Sequence, residues 1–200
     1  MESSQDYYQG FTERYDLFFG DLKKPVLEVY NNFFRQIFDR NNVHSVMDCA
    51  CGTGRDIILF HSLGYEVAGS DISEAMLTQA SINISLSGLD IPLIKADYRE
   101  LPQNYKRQFD AVICLSSAID EMPDEAQVLR ALSMSNVLNP GGILILSQGT
   151  TDRQWRDKPR FIPMINTRDF SRICAIDYFV KGACYNILDV FHGDTFDFKV

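Results

Sequence analysis

Four places in the chain combine residue types that could do chemistry, and each follows a short apolar run: Cys51-Gly52-Thr53-Gly54, Asp71, Asp97-Tyr98 and Leu115-Ser116-Ser117. Glycines without a Cβ let a ligand approach the backbone closely. Asp71 stands about twenty residues beyond Gly52, the spacing at which an acidic side chain meets ribose hydroxyls. An ionised carboxylate suits that task because it only accepts hydrogen bonds. Asp97 can accept from an exocyclic amine, and Tyr98 can offer an aromatic face. Jointly these residues describe a nucleoside pocket. Singly, each has a plainer role: a GxG loop is often only a tight turn, Asp71 precedes Ser73-Glu74 as a helix cap would, and Asp97 is a loop residue.

The loop also bears on phosphate. A dinucleotide fingerprint wants a third glycine where this chain has Ile57. Asp56 puts negative charge in the first helical turn, which complements the helix dipole but repels a pyrophosphate. No GKS or GKT follows. The loop therefore favours a nucleoside without phosphates, of which S-adenosylmethionine is one, over a dinucleotide.

Elements must deliver these residues to one place. Residues 22–40 carry Val26, Val29, Tyr30, Phe33, Phe34 and Ile37 at helical spacing. HSVMDCA reads as a strand ending at the glycine loop, residues 55–63 as a helix stopped by Gly64, and residues 65–70 as a second strand with Asp71 at its end. Ser73 and Glu74 start a helix, residues 91–96 form a third strand, and FDAVICL at 109–115 is a buried fourth. Pro123-Asp124 open a helix to about Asn136, Asn139-Pro140-Gly141-Gly142 is a turn, and ILILS is a fifth strand. Alternating strands and helices predict an α/β fold, a Rossmann-like doubly wound, mostly parallel sheet, whose ligands sit beyond the carboxyl ends of the strands.

After residue 150 the pattern changes. Residues 170–180 and 183–192 read as antiparallel strands about Lys181-Gly182, with FDFKV as a third. This divides the chain into a cofactor-binding core with an N-terminal helical cover, 1–150, and an antiparallel strand extension of the same domain, 151–200. The extension is expected to lie over the open end of the pocket as a lid, or else to make an oligomer contact.

Composition narrows the class. The 200 residues are 46% hydrophobic and carry a net charge of −8 without a basic run, which disfavours nucleic acid as partner. No apolar run approaches the roughly 18 residues of a membrane helix. The polar, acidic start is no signal peptide, and the odd count of five cysteines argues against a disulfide framework, so the expected compartment is the cytoplasm. Cys49-x-Cys51 is too tight for a usual zinc pair, and no metal is expected. Cys49, Cys51 and Cys114 read as small buried apolar groups.

MDCACGTGRD, VAGSDISEAML, IKADYREL, FDAVICL and LNPGGILIL resemble the successive motifs of class I S-adenosylmethionine-dependent methyltransferases. The likeness is closest to the glycine and sarcosine N-methyltransferases and extends to YYQGFTERYDLFFGD at the N-terminus. The resemblance implies S-adenosylmethionine as cofactor and a small-molecule acceptor with an N or O nucleophile, and it leaves a homo-oligomer open. It places Ala50, Cys51, Gly52 and Gly54 at the methionine end of the cofactor, Asp71 on the ribose, Ile72 and Met76 beside the adenosine, Asp97 and Tyr98 at the adenine, and Leu115 next to the sulfonium. Tyr7 and Tyr15 match aromatic positions of a segment that closes over the cofactor, whereas an apolar helix face packed on the core accounts equally for Tyr15, Phe18 and Phe19.

Three positions depart from the glycine-specific enzymes. Those enzymes carry asparagine, arginine and tyrosine where this chain has Ser117, Gly149 and Phe18, and Phe18 and Ser117 fall on the substrate side. Losing a guanidinium removes a bidentate partner for a carboxylate, so an acceptor other than glycine is expected. Asp120 and Glu121 are candidate bases, with a solvated helix start as the plainer reading. A protein that binds S-adenosylmethionine without turnover is the alternative function. Enzymes of the class finish with a helix and an antiparallel strand pair that complete seven strands. This chain stops at Val200, so either it is a shortened version or the sheet keeps an exposed edge.

Overall fold

The computed structural model describes residues 12, 24–147, 156–158, 160–166, 170–179, 182–191 and 197–199. Tyr7, Tyr15, Phe18 and Gly149 lie outside the described residues. The chain divides into two compact units, Met1–Gly149 and Thr150–Val200.

In the first unit, helix α1 (Lys24–Arg40) precedes strand β1 (Ser45–Asp48), then come α2 (Arg55–Ser62), β2 (Glu66–Asp71), α3 (Glu74–Leu86), β3 (Leu93–Lys95), the short α4 (Leu101–Asn104) and β4 (Phe109–Cys114). A 3-10 turn (Ala118–Glu121), α5 (Glu125–Ala131), a second 3-10 segment (Leu132–Val137) and β5 (Leu138–Leu146) complete it. The strands lie in the order β3-β2-β1-β4-β5, and every neighbouring pair is parallel. The order reverses between β1 and β4, which is where an open α/β sheet leaves a crevice.

The period-two alternation of side chains divides the core. Ala111, Ile113 and Leu115 pack on one face with Phe34, Phe38 and Phe60; Val112 and Cys114 pack on the other with Met47, Leu101 and Met134. Phe34 and Phe38, one helical turn apart on α1, both reach Phe60 of α2, with ring centroids 5.0 and 5.4 Å away. Fully burying such rings contributes about 1.5–3 kcal/mol each, which fixes α1 and α2 against the sheet.

The predicted turn at residues 139–142 is instead part of β5. Leu138 pairs with Phe109 and Ile143 with Ala111, so the irregularity is absorbed within the strand. Gly142 makes this possible, because a Cβ there would stand 2.8 Å from the Asp110 carbonyl oxygen.

Asp110 ties three strands together at the amino-terminal end of the sheet. Its Oδ2 accepts from the His44 and Ser45 backbone N–H groups at 2.9 and 3.0 Å and from the Ser45 hydroxyl at 3.0 Å. Its Oδ1 accepts from Asn139 Nδ2 at 2.7 Å. Burial pushes this carboxyl up, but the bonds from Asn139, His44 and Ser45 outweigh it, and the net shift is downward.

The second unit is an antiparallel sheet in the order β6 (Phe161–Asn166), β7 (Phe170–Phe179), β8 (Gly182–Phe191), β9 (Asp197–Lys199). The expected pair is present, with Phe170 opposite Phe191 and Phe179 opposite Gly182, and the third strand is β9; β6 was not expected. Among the described side chains of β7, Cys174 and Ile176 are buried.

Because the Asp110 carboxyl is depressed in the folded state, its stabilisation is present above the unfolded value and lost as pH falls through the folded one. Asp110→Ala is expected to cost about 1–3 kcal/mol near pH 7, the scale of removing an acceptor from several donors. Urea unfolding at pH 7 and pH 3 checks it, with a smaller difference between variant and parent expected at pH 3. Equal differences at both would contradict the assignment.

Candidate active site

The carboxyl ends of β1, β2 and β4 surround a cleft that opens to solvent, the place where open α/β sheets take their ligands. Ala50, Gly52, Asp71, Ile72, Met76, Tyr98 and Leu115 line it, so the structure brings together most of the expected site residues that are among the described ones. Cys51, Gly54, Asp97 and Ser117 are close in sequence but do not line it. Cys49 and Ala118 line it without having been expected, Ser116 does so as part of the Leu115-Ser116-Ser117 group, and Glu121 does so where a solvated helix start was the plainer reading. The signal for Cys49 lay in position, since it follows directly on the end of β1.

The glycine loop is held from below by the sheet. Cys49 N–H donates to the Ile113 carbonyl at 3.0 Å and Cys51 N–H to the Ser70 carbonyl at 2.9 Å. Gly52 and Gly54 have φ of 53° and 86°, a region that glycine enters without strain. Gly54 also sits against α3, where an added Cβ would lie 3.2 Å from Ala80 Cβ.

Asp71 joins this loop to α3. Its Oδ2 accepts from Gly52 N–H at 2.9 Å and its Oδ1 from Ser73 N–H at 2.8 Å. Ser73 in turn caps α3, its hydroxyl accepting from Met76 N–H at 3.4 Å. Ser73 and not Asp71 is therefore the cap of α3, while Asp71 braces the segment that leads into it and lines the cleft. Burial pushes its carboxyl up, the two N–H bonds pull it down, and nearby Glu121 adds to the rise, so that it is raised on balance.

Asp97 is held differently. Arg99 Nε lies 2.9 Å from each of its oxygens, the Arg99 backbone N–H donates at 2.8 Å, and Arg99 Nη2 completes a fork. Arg99 also reaches Gln127 Oε1 at 2.8 Å, so Asp97 anchors the loop after β3 to α5. The Tyr98 hydroxyl donates to the Ala118 carbonyl at 3.0 Å, which fixes the ring at the cleft wall. Burial, then the charges of its neighbours, push this phenol up, so it stays protonated as a donor.

Among the described residues, the charged ones that line the cleft are Asp71 and Glu121, with no Lys or Arg. That is a poor seat for a pyrophosphate and a suitable one for a cationic or neutral nucleoside. Asp48 beneath the loop is buried, with its Oδ1 accepting from Ala50 N–H at 3.1 Å, and burial pushes its carboxyl well up. Among the described residues, no group of three His, Cys, Asp or Glu is placed to hold a metal, and no helix is long and apolar enough to cross a membrane.

Comparison with known proteins adds the family. Residues 41–184 match the Methyltransferase domain family. The chain is similar to the glycine/sarcosine N-methyltransferase of Parasynechococcus marenigrum, 32% identical over 150 residues, covering 74% of this chain and 52% of that protein. It is similar also to the glycine/sarcosine N-methyltransferase of Aphanothece halophytica, 30% identical over 148 residues, covering 74% and 55%. The chain thus aligns with about half the length of these curated relatives. Among solved structures, S-adenosylmethionine-bound CalS10, an amino pentose methyltransferase from Micromonospora echinaspora, superposes with a TM-score of 0.65 at 21% identity, covering 95% of this chain and 76% of that one. At that identity the likeness shows the fold.

The Cys49 thiol is pushed well up by burial and by the Cys114 thiol beside it, and the Cys51 thiol by burial and the charge of Asp48. A protonated thiol is a poor nucleophile. In native protein at pH 8, iodoacetamide is expected to leave both unmodified over a period that fully labels the unfolded chain, as read by peptide mass spectrometry. Labelling of either at the rate of a free thiol would contradict the assignment.

Proposed function

The chain belongs to the class I S-adenosylmethionine-dependent methyltransferases through its methyltransferase domain, and from that premise we propose that it transfers a methyl group to a small-molecule acceptor with an N or O nucleophile. The observation that carries this reading is Asp71, a buried carboxylate at the carboxyl end of β2 that holds the glycine loop and still lines the cleft.

The lining residues fit such a cofactor. Ile72 is a large apolar side chain 37% exposed at the cleft, a surface that an adenosine would cover. In this reading Asp71 accepts from the ribose, Ile72 and Met76 pack on the adenosine, and Tyr98 offers its ring to the adenine. Ala50 and Gly52 meet the methionine end, with Cys51 and Gly54 shaping the loop around them, and Leu115 borders the sulfonium. Asp97 contributes by fixing the loop that carries Tyr98. Among the described residues, the charges at the cleft are the carboxyls of Asp71 and Glu121, which favours this ligand over a dinucleotide.

When bound, S-adenosylmethionine supplies a methyl group on a sulfonium, a strong leaving group. The protein's work is to align the acceptor and exclude water, and such alignment lowers a barrier by about 7–11 kcal/mol in favourable cases. Glu121, on the β4 side of the cleft, is placed to attract a cationic acceptor or to take a proton from one that arrives protonated. The curated relatives are named for glycine and sarcosine. Ser117, Gly149 and Phe18 stand where the glycine-specific enzymes have polar contacts, so the proposed acceptor here is not glycine.

Asp71→Asn is expected to weaken S-adenosylhomocysteine binding by about 1–3 kcal/mol, the scale of a hydrogen bond to a charged group. Calorimetry on full-length protein with an unchanged melting temperature checks it, and an unchanged dissociation constant would remove the ribose assignment. A methyl-transfer assay offers the second test: glycine is expected to give no turnover above background under conditions where an amine or hydroxyl library yields an accepted substrate. Robust glycine methylation would overturn the acceptor reading, and failure of every acceptor despite tight cofactor binding would favour a binding protein instead.

A further inference from the structure

One wall of the cleft is a turn that its own residues do not favour. Leu115 to Ala118 follow β4, and Ala118 N–H closes back on the Leu115 carbonyl at 3.2 Å. The two central residues, Ser116 and Ser117, have φ of 54° and 62°. Consecutive left-handed residues are the geometry of a turn that glycine and asparagine supply, and a side chain makes it costly. Strain of this kind persists only where the surroundings over-determine it, and it gathers at functional sites.

The surroundings here are specific. The Ser147 hydroxyl, just beyond β5, accepts from Ser117 N–H at 3.0 Å. The Ser147 N–H donates to the Cys114 carbonyl at 3.1 Å, so the end of β5 is itself tied to the end of β4. From the opposite side the Tyr98 hydroxyl donates to the Ala118 carbonyl at 3.0 Å. Leu115, Ser116, Ala118 and Tyr98 all line the cleft, whereas Ser147 does not. The same turn launches the 3-10 helix that ends in Glu121, which lines it as well.

We propose that Ser147 is a positioning residue whose hydroxyl clamps the left-handed turn Leu115–Ala118 and thereby sets the β4 wall of the cofactor cleft. The proposal rests on the methyl-transfer reading of that cleft. Without the hydroxyl, Ser117 N–H loses its acceptor and the two serines relax toward negative φ, which moves Leu115 and Ala118 away from the ligand.

The test uses the full chain with S-adenosylhomocysteine as probe. Ser147→Ala is expected to weaken binding roughly fivefold to tenfold, the effect of one backbone hydrogen bond in the wall of a site. Ser147→Thr keeps the hydroxyl and is expected to bind within about twofold of the parent. Adding Ser117→Gly to the alanine variant is expected to recover most of the loss, because glycine holds a positive φ without strain. A merely structural serine would lower the melting temperature without moving the dissociation constant. Parent-like affinity of Ser147→Ala, or no recovery by glycine at 117, overturns the proposal. Amide exchange at Ser117 in ligand-free protein reads the clamp separately and is expected to quicken about tenfold in Ser147→Ala; unchanged exchange also overturns it. If the parent binds no S-adenosylhomocysteine, the cofactor reading fails instead, and exchange at Ser117 alone decides whether the clamp exists.

Discussion

The arrangement of the site depends on the Asp71 carboxylate lying between two backbone N–H groups. One belongs to Gly52 in the loop after β1, the other to Ser73 at the start of α3. A single side chain thus ties the loop after β1 to the segment that leads into α3. The other site residues follow from it. Met76 reaches the cleft because α3 begins at the Ser73 cap, and Gly54 is pressed on Ala80 because α3 crosses there. Replacing Asp71 by an apolar residue would leave two donors to find partners elsewhere, and both lie on segments that shape the cleft.

The two ends of the sheet treat carboxylates in opposite ways. At the amino-terminal end, Asp110 is satisfied by donors from the segment entering β1 and from β5, and its carboxyl is lowered. At the carboxyl end, Asp48 and Asp71 are raised by burial despite their backbone bonds. A carboxyl raised in the folded state stabilises it only at low pH, and that contribution is lost as pH rises through the folded value. The first end therefore adds stability at neutral pH, while the second forgoes some of it to keep Asp71 at the cleft and Asp48 buried beneath the loop. This is the division expected of a scaffold that carries a binding site on one rim.

Much of this was legible in the sequence because its signals are local. Alternating strands and helices predict the parallel sheet, and the distance from Gly52 to Asp71 predicts their meeting. The polar-apolar pattern about Lys181-Gly182 gives the β7–β8 pair. What was not legible depended on distant partners or on context. Strand β6 contains Pro163, which reads as a breaker, yet β6 lies at the edge of its sheet, where a missing N–H costs little. Asn139 to Gly142 carry every mark of a turn, but Gly142 lets β5 absorb the irregularity beside Asp110. The partner of Asp97 was two residues away, in an Asp-x-Arg pattern open to inspection. The Ser117–Ser147 bond spans 30 residues and joins a hydroxyl to a backbone group, and nothing in residue type points to it.

The central claim is that the nucleoside of S-adenosylmethionine sits at the carboxyl ends of β1, β2 and β4. Backbone amide chemical-shift mapping with S-adenosylhomocysteine tests it most directly. Saturable shifts are expected at Ala50, Gly52, Ile72, Ser73, Tyr98 and Ser116, with Asp110 and Asn139 at the opposite end of the sheet unmoved. Shifts centred on that opposite end, or no saturable shift at all, would contradict it.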